Sequence, residues 1–242
     1  MMRGQFTIAT VLLAVSTLIQ QWDLSEPPPS IVNQRWRILR LARKREDGFH
    51  FVATGFLVTR SKKTYIVTCA HVVDSSVGSA PLYADFAYPL NAHPTSVLAA
   101  NSVSDLALLA SDVQIAERTG EATRGVKEGM QVFVVGFDDQ HTEKDNPQIQ
   151  SGVIQAIGWW ENRHRVFTSR RTSSGSNTPG ILISGLTCLP GESGSPVFGA
   201  DGEIIAVTTA FNHDHSCLAT AVPALIDLIE RIETSEVVHN LQ

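Results

Sequence analysis

Charge and cysteine are both scarce in this chain. Only 18% of its 242 residues are Asp, Glu, Lys or Arg, and the formal net charge is −5. No basic surface follows from that balance, so nucleic acid is excluded as a partner. Low charge beside 43% hydrophobic residues argues against disorder and for a substantial core. Cysteine occurs three times, at Cys69, Cys188 and Cys217. No internal repeat is present. A membrane-length apolar run is missing too: the longest, Phe6 to Ile19, is broken by Thr7, Thr10, Ser16 and Thr17 and falls short of the ~20 residues a span needs. A chain of this length makes one large domain or two small ones.

The short apolar run has a different use. Met1-Met2-Arg3 supplies a positive start, and Ala14-Val15-Ser16 a small-x-small cleavage site. Residues 1–20 therefore read as a signal peptide, with an uncleaved N-terminal anchor as the rival. Export, to a secreted or periplasmic location, is the expectation; the anchor would instead tie the protein to a membrane. Glu26-Pro27-Pro28-Pro29 makes residues 21–34 a stiff, extended, Pro-rich linker.

Beyond the linker, short strands alternate with turns. Trp36 to Arg43 alternates apolar and basic residues as a half-exposed strand does, Glu46-Asp47-Gly48 is a hairpin turn, and Phe49 to Val58 returns. Arg60-Ser61-Lys62-Lys63 turns into the β-branched run Thr64 to Thr68. Further strands are predicted near 96–100, 106–110, 131–137, 151–158, 181–183, 195–198 and 203–209. Many short strands with turn signals indicate a sandwich or barrel. One helix, 223–234, begins at Pro223, with Leu225, Ile226, Leu228, Ile229 and Ile232 as its apolar stripe.

Three segments carry chemistry. Thr68-Cys69-Ala70-His71 follows an apolar strand, Asp105-Leu106-Ala107-Leu108-Leu109 comes later, and Gly191-Glu192-Ser193-Gly194-Ser195-Pro196 later still. A serine is a nucleophile only when a base takes its proton and a carboxylate orients that base. Each residue alone has an ordinary explanation: a strand-end histidine, a turn aspartate, a turn serine. Together, the types, order and flanks point to His71, Asp105 and Ser193 as a catalytic triad. Their chain order is His, Asp, Ser, which differs from that of subtilisin and of the α/β-hydrolases. The α/β-hydrolase esterases are further excluded because the Ser193 motif lacks its last glycine and runs into Pro196 and a strand, where that fold needs a helix. Cysteine peptidases are excluded because no cysteine takes the nucleophile position.

On these motifs the chain resembles the trypsin-like serine peptidases, and is similar to bacterial HtrA-type protease domains and glutamyl endopeptidases, without a PDZ domain. The resemblance covers Trp36 to the end. It implies an all-β fold of two six-stranded antiparallel β-barrels of the chymotrypsin type with a C-terminal α-helix. The peptidase domain would span 35–240, with barrels at about 35–115 and 130–222. The resemblance also implies an exported serine endopeptidase acting on protein or peptide substrates through an acyl-enzyme, with no cofactor and no metal. Gly191 and Ser193 would supply the oxyanion-hole amides. Cys188 and Cys217 would form a pocket-flanking disulfide, leaving Cys69 a free core thiol. Thr187, Thr208, Thr209, Ala210 and Ala219 would line the primary pocket. None is charged, so a small or medium apolar P1 residue is expected. Thr208 stands where glutamyl endopeptidases carry a histidine. A catalytically idle fold acting as a protein-binding module is the alternative, since a collapsed oxyanion loop leaves no mark in sequence.

Four features remain. Glu192 occupies the place of an Asp that pairs with a new α-amine in processed relatives, and Ile31-Val32-Asn33 resembles such a start. Ser30 before it provides no tryptic site, so Glu192 is expected to be solvated or locally bonded. His213 and His215 lack a third partner for metal. Trp159-Trp160, which follows the strand at 151–158, reads as a loop capped by aromatic packing. Arg163, Arg165, Arg170 and Arg171 form a solvated basic loop.

Overall fold

The computed structural model describes residues 26–74, 81–85, 92–110, 112, 125–139, 146–161, 166–168, 178–211 and 216–239. The expected leader at 1–20, the loop bearing Arg163, Arg165, Arg170 and Arg171, and the pair His213 and His215 lie outside those residues.

The linker is not extended throughout. Helix α1 (Pro29–Val32) interrupts it, because proline presets the helical φ of a first turn and Ile31 drops completely into the core. A 3-10 turn at Arg35–Arg37 follows. Strand β1 (Ile38–Arg45) therefore starts two residues later than the alternation from Trp36 suggests, and Trp36 stays exposed with the Arg37 guanidinium 5.0 Å from its ring centre.

Six more strands complete the first barrel. They are β2 (Gly48–Arg60), β3 (Lys63–Thr68), β4 (Leu82–Asp85), β5 (Ala92–Pro94), β6 (Val97–Asn101) and β7 (Leu106–Ala110). Their antiparallel order is β5-β4-β1-β2-β3-β7-β6. Ser61 and Lys62 both take positive φ, 48° and 66°, giving the two-residue hairpin whose twist matches its strands; Arg60 accordingly faces Lys63.

The second barrel holds β8 (Gln131–Gly136), β9 (Gln148–Glu161), β10 (Val166–Thr168), β11 (Thr178–Ser184), β12 (Pro196–Phe198), β13 (Ile204–Phe211) and β14 (Cys217–Ala221). Their order is β10-β9-β11-β14-β13-β12-β8, and β8 pairs back onto β9 to close the barrel. Between β3 and β4 lies one helical turn, α2 (Ala70–Val73). Helix α3 (Val222–His239) ends the described chain. This is the expected all-β, two-barrel architecture with a closing helix, each sheet extended at one edge by a three-residue strand, β5 or β10.

Alternation along the strands divides the core into three. Leu57, Ile66 and Leu109 point into the first barrel with Leu39 and Leu41. Val132 and Val134 point into the second with Ile183 and Val197. Their neighbours of opposite parity, Phe56, Val58, Val67, Leu106 and Leu108 from one barrel and Phe133 and Val135 from the other, meet between them. Leu225, Leu228 and Ile229 of α3 seal that shared core. Each such side chain contributes ~1.5–3 kcal/mol by leaving water. The docking of barrel on barrel is therefore as apolar as either interior, and it sets the walls of the cleft.

Candidate active site

His71 sits in α2, one turn beyond the end of β3, with its side chain half exposed. Its Nδ1 lies 2.7 Å from Asp105 Oδ2, and its backbone N–H donates to Asp105 Oδ1 at 3.0 Å. Both carboxylate oxygens are thus committed to one residue. A carboxylate against Nδ1 selects the tautomer with hydrogen there and leaves Nε2 as the free base nitrogen. Asp105 is buried and takes a φ of 53°, a region that Asp tolerates better than most residues. The turn before it is held from two sides. Asn101 Oδ1 accepts from the Val103 and Ser104 amides at 2.9 and 3.3 Å, and Thr220 of β14 donates its hydroxyl to the Ser104 carbonyl at 2.8 Å. A strand of the second barrel thereby helps fix the carboxylate of the first.

Ser193 stands on a loop that needs glycine on both sides. Gly191 and Gly194 have φ of 96° and 87°. A Cβ at Gly191 would overlap the Phe51 ring, and one at Gly194 would overlap the Thr54 carbonyl and the Thr68 hydroxyl. The loop is laced to the first barrel through Thr54, whose N–H donates to the Ser193 carbonyl at 3.0 Å. Its hydroxyl donates to the Gly191 carbonyl at 2.9 Å and accepts from the Phe137 amide at 2.9 Å. Thr68, three residues before His71, donates to the Thr54 carbonyl at 2.9 Å. Ser193 is thus tied to the middle of β2 at Thr54, and Thr54 is bonded to Thr68 at the end of β3 that leads to His71. Among the described residues the Gly191 and Ser193 N–H groups meet no acceptor, whereas those of Glu192, Gly194 and Ser195 are all bonded. Two free donors flank the serine hydroxyl.

From the other side the loop rests on β13. Thr208 donates its hydroxyl toward the Glu192 and Ser195 carbonyls at 2.7 and 3.0 Å, and its own carbonyl accepts from the Gly194 amide at 2.9 Å. Thr208 is buried, so what its hydroxyl offers is a brace to this loop. Thr209 is buried at a register shift between Thr208 and Ala210. Ala210 is half-buried, Ala219 faces Thr208 across the β13–β14 pair, and Thr187 is exposed. All five wall residues are uncharged. Beside His71 lies a groove of about 500 Å³, lined by Ala70, Val73, Val97 and Ala100.

Glu192 is bonded locally. Its Oε2 accepts from the Leu189 amide at 2.7 Å and its Oε1 from the Gln150 side-chain amide. Ile31, the imagined partner, spends its N–H on the Pro28 carbonyl at 2.9 Å inside α1. Burial pushes the Glu192 carboxyl up to about 7, assisted by the charge of Asp138 and opposed by the Leu189 and Gln150 donors. Cys188 and Cys217 are joined by a disulfide with Cα atoms 5.6 Å apart, tying the segment before the loop to β14. Cys69 is a free, buried thiol that donates to the Thr208 carbonyl at 3.1 Å. Burial and the Asp105 charge push that thiol well above its usual range. Ligand atoms of Cys69, His71 and Asp105 lie within 4.8 Å of one another. A protonated thiol bonded to a carbonyl and an Nδ1 engaged by a carboxylate are poor cation ligands, since coordination needs a thiolate.

The sequence motifs name His71, Asp105 and Ser193 and do not name Thr54, Thr220 and Gln150, which bond around them. Each is an ordinary strand residue whose partner lies far along the chain, and no local motif marks it.

A family model described as a trypsin-like peptidase domain matches residues 53–207. Among solved structures, the active form of the Rv3671c protease from M. tuberculosis superposes with a TM-score of 0.66 at 16% identity, covering 84% of each chain. The serine endoprotease from Yersinia pestis gives 0.62 at 15%, covering 84% of this chain and 65% of that one. The HtrA-type protease AlgW with tripeptide gives 0.62 at 15%, covering 84% and 62%. No curated protein matches the chain.

Proposed function

Because the chain belongs to the trypsin-like peptidase family, we propose that it is an exported serine endopeptidase working through His71, Asp105 and Ser193. The observation that carries the reading is the double engagement of Asp105. One oxygen holds the His71 ring and the other its backbone, so the imidazole has one orientation and one free nitrogen. Ser193 Oγ attacks the scissile carbonyl as His71 Nε2 takes its proton. His71 then returns that proton to the leaving amine, and water hydrolyses the acyl-enzyme by the same exchange in reverse. Asp105 stabilises the imidazolium without becoming protonated. The unbonded Gly191 and Ser193 amides receive the oxyanion, at ~3–4 kcal/mol per donor.

Substrates are proteins or peptides. With Thr187, Thr209, Ala210 and Ala219 as walls and no charge among them, a small or medium apolar P1 side chain fits best. The disulfide agrees with an oxidising compartment, secreted or periplasmic. Among the described residues no helix is long and apolar enough to cross a membrane.

Casein digestion by the wild type beside Ser193→Ala tests the reading. Losing the nucleophile of a working triad costs about six orders of magnitude in kcat, so cleavage should vanish in the variant. Cleavage that survives the substitution refutes the assignment. A wild type that neither cleaves casein nor is labelled by a phosphonofluoridate is instead a binding module built on a peptidase fold.

A further inference from the structure

The Glu192 carboxylate points away from the reacting atoms and has no role in the steps above, yet it is buried one residue before the nucleophile. Its bonds form a closed set. Oε2 takes the Leu189 amide and Oε1 takes the Gln150 side-chain amide, while Gln150 Oε1 accepts from the Thr187 amide at 3.2 Å. One side chain of β9 thus holds the wall segment at 187–189 and the loop bearing Gly191 and Ser193. Gln150 adds to the Cys188–Cys217 disulfide and the Leu189–Glu192 bonds a link between the two ends of that segment. The amide is suited to this because it donates at one end and accepts at the other. Turning it over would set a donor against the Thr187 N–H and an acceptor against the carboxylate.

We propose that Gln150 is a positioning residue: by bridging Glu192 and Thr187 it holds the Gly191 and Ser193 amides where the oxyanion forms. The proposal rests on the serine-peptidase reading. The groups that face Glu192 are the neutral Gln150 on β9, the Leu189 amide of its own loop, and the buried Asp138 that follows β8, whose charge opposes that of Glu192. No cation pairs with Glu192 among the described residues. Among the described residues two neutral donors, the Leu189 amide and the Gln150 side chain, hold the carboxylate.

Two variants test this. Gln150→Leu keeps the bulk and removes both bonds. Gln150→Glu keeps the acceptor for the Thr187 amide at any pH and loses the bond to Glu192 only when ionised: a protonated carboxyl reproduces the donor-and-acceptor pattern of the amide, and beside the Glu192 carboxylate one proton is shared by the pair. Rates are measured on a peptide spanning a casein site that the wild type cleaves, per active site titrated with a phosphonofluoridate, with Ser193→Ala as the blank. Gln150→Leu should lower kcat ~10- to 100-fold, less than the ~100- to 1,000-fold that losing an oxyanion donor outright costs, because the amides are displaced and not removed, with KM changed less than about threefold. For Gln150→Glu the ratio to wild type at the same pH should be within about threefold at pH 5.5. It should fall ~10-fold or more by pH 8.5 as the pair loses its proton. A merely structural role would change the titre of active sites and leave rate per site and the pH ratio alone. Unchanged kcat in Gln150→Leu, or a flat pH ratio in Gln150→Glu, overturns the inference and leaves the peptidase reading standing. A wild type without Ser193-dependent hydrolysis overturns both.

Discussion

A buried carboxylate whose pKa is raised on folding has a stability cost that depends on pH, and Glu192, which meets only neutral donors among the described residues, is such a residue. Its folded pKa, about 7, is raised from an ordinary 4.5. Between those values the folded protein binds a proton that the unfolded chain has released, so stability falls as pH rises through this window and levels off above it. The shift corresponds to about 3 kcal/mol. Glu192→Gln keeps an acceptor for the Leu189 amide and never ionises, though its NH2 then meets the Gln150 NH2 and that bond is lost. Its stability should therefore stay flat across this window while that of the wild type falls by up to about 3 kcal/mol, so the difference between them changes by that amount between pH 4.5 and pH 8. Denaturant midpoints at the two pH values decide this, and a gap that stays constant with pH would show the carboxyl to be ordinary. The ionised form is kept at that cost, which fits a group whose acceptor oxygens organise the loop.

At the level of elements, the loop around Ser193 is shaped by strands more than by its own residues. Its motif is legible in sequence because Gly191, Ser193 and Gly194 lie within four positions and each glycine answers a local demand, a positive φ. The braces are not legible. Thr54 reaches Gly191 across 137 positions, and Thr220 reaches Ser104 across 116, and a threonine in a strand looks the same whether its hydroxyl is committed or idle. Strand boundaries show the same limit. Strands β2 and β3 stand out by their β-branched residues and β7 by its unbroken apolar run Leu106–Ala110, whereas Cys217–Ala221 pairs on both sides as β14 without a β-branched run to announce it. Thr208 separates two kinds of role. As a brace, its hydroxyl holds two carbonyls next to the nucleophile, and Thr208→Val leaves both short of a donor. The expected cost is ~1–3 kcal/mol of stability and a fall in kcat across all substrates alike. If Thr208 instead forms the pocket wall, the substitution will alter the order of P1 preference with kcat for the best substrate unchanged. Rates on a peptide set differing only at P1 distinguish the two.

At the level of the molecule, the site belongs to neither barrel. His71 and Asp105 come from the first and Ser193 from the second, while Thr54 and Thr220 each cross the divide to hold a residue of the other half. Two separate barrels of this size would be poorer folders than the pair, since the fraction of surface buried falls as a domain gets smaller. Here the opposite faces of the same strands build the shared core, so Phe56 and Val67 have nowhere to be buried except against Phe133, Val135 and Val207. Separation of the barrels would expose that layer and dismantle the cleft in one event. Unfolding should consequently be a single cooperative transition. Trp160, fully buried in the second barrel, gives a local signal for that half, and far-ultraviolet dichroism reports both. Their denaturant curves should coincide. Val135→Ala, which opens a cavity in the shared layer without touching the site, should shift both curves together by ~1–3 kcal/mol, the lower part of the range for core truncations. Tryptophan and dichroism curves that part company in the wild type would mean the barrels hold themselves together separately, and that the cleft can open without unfolding.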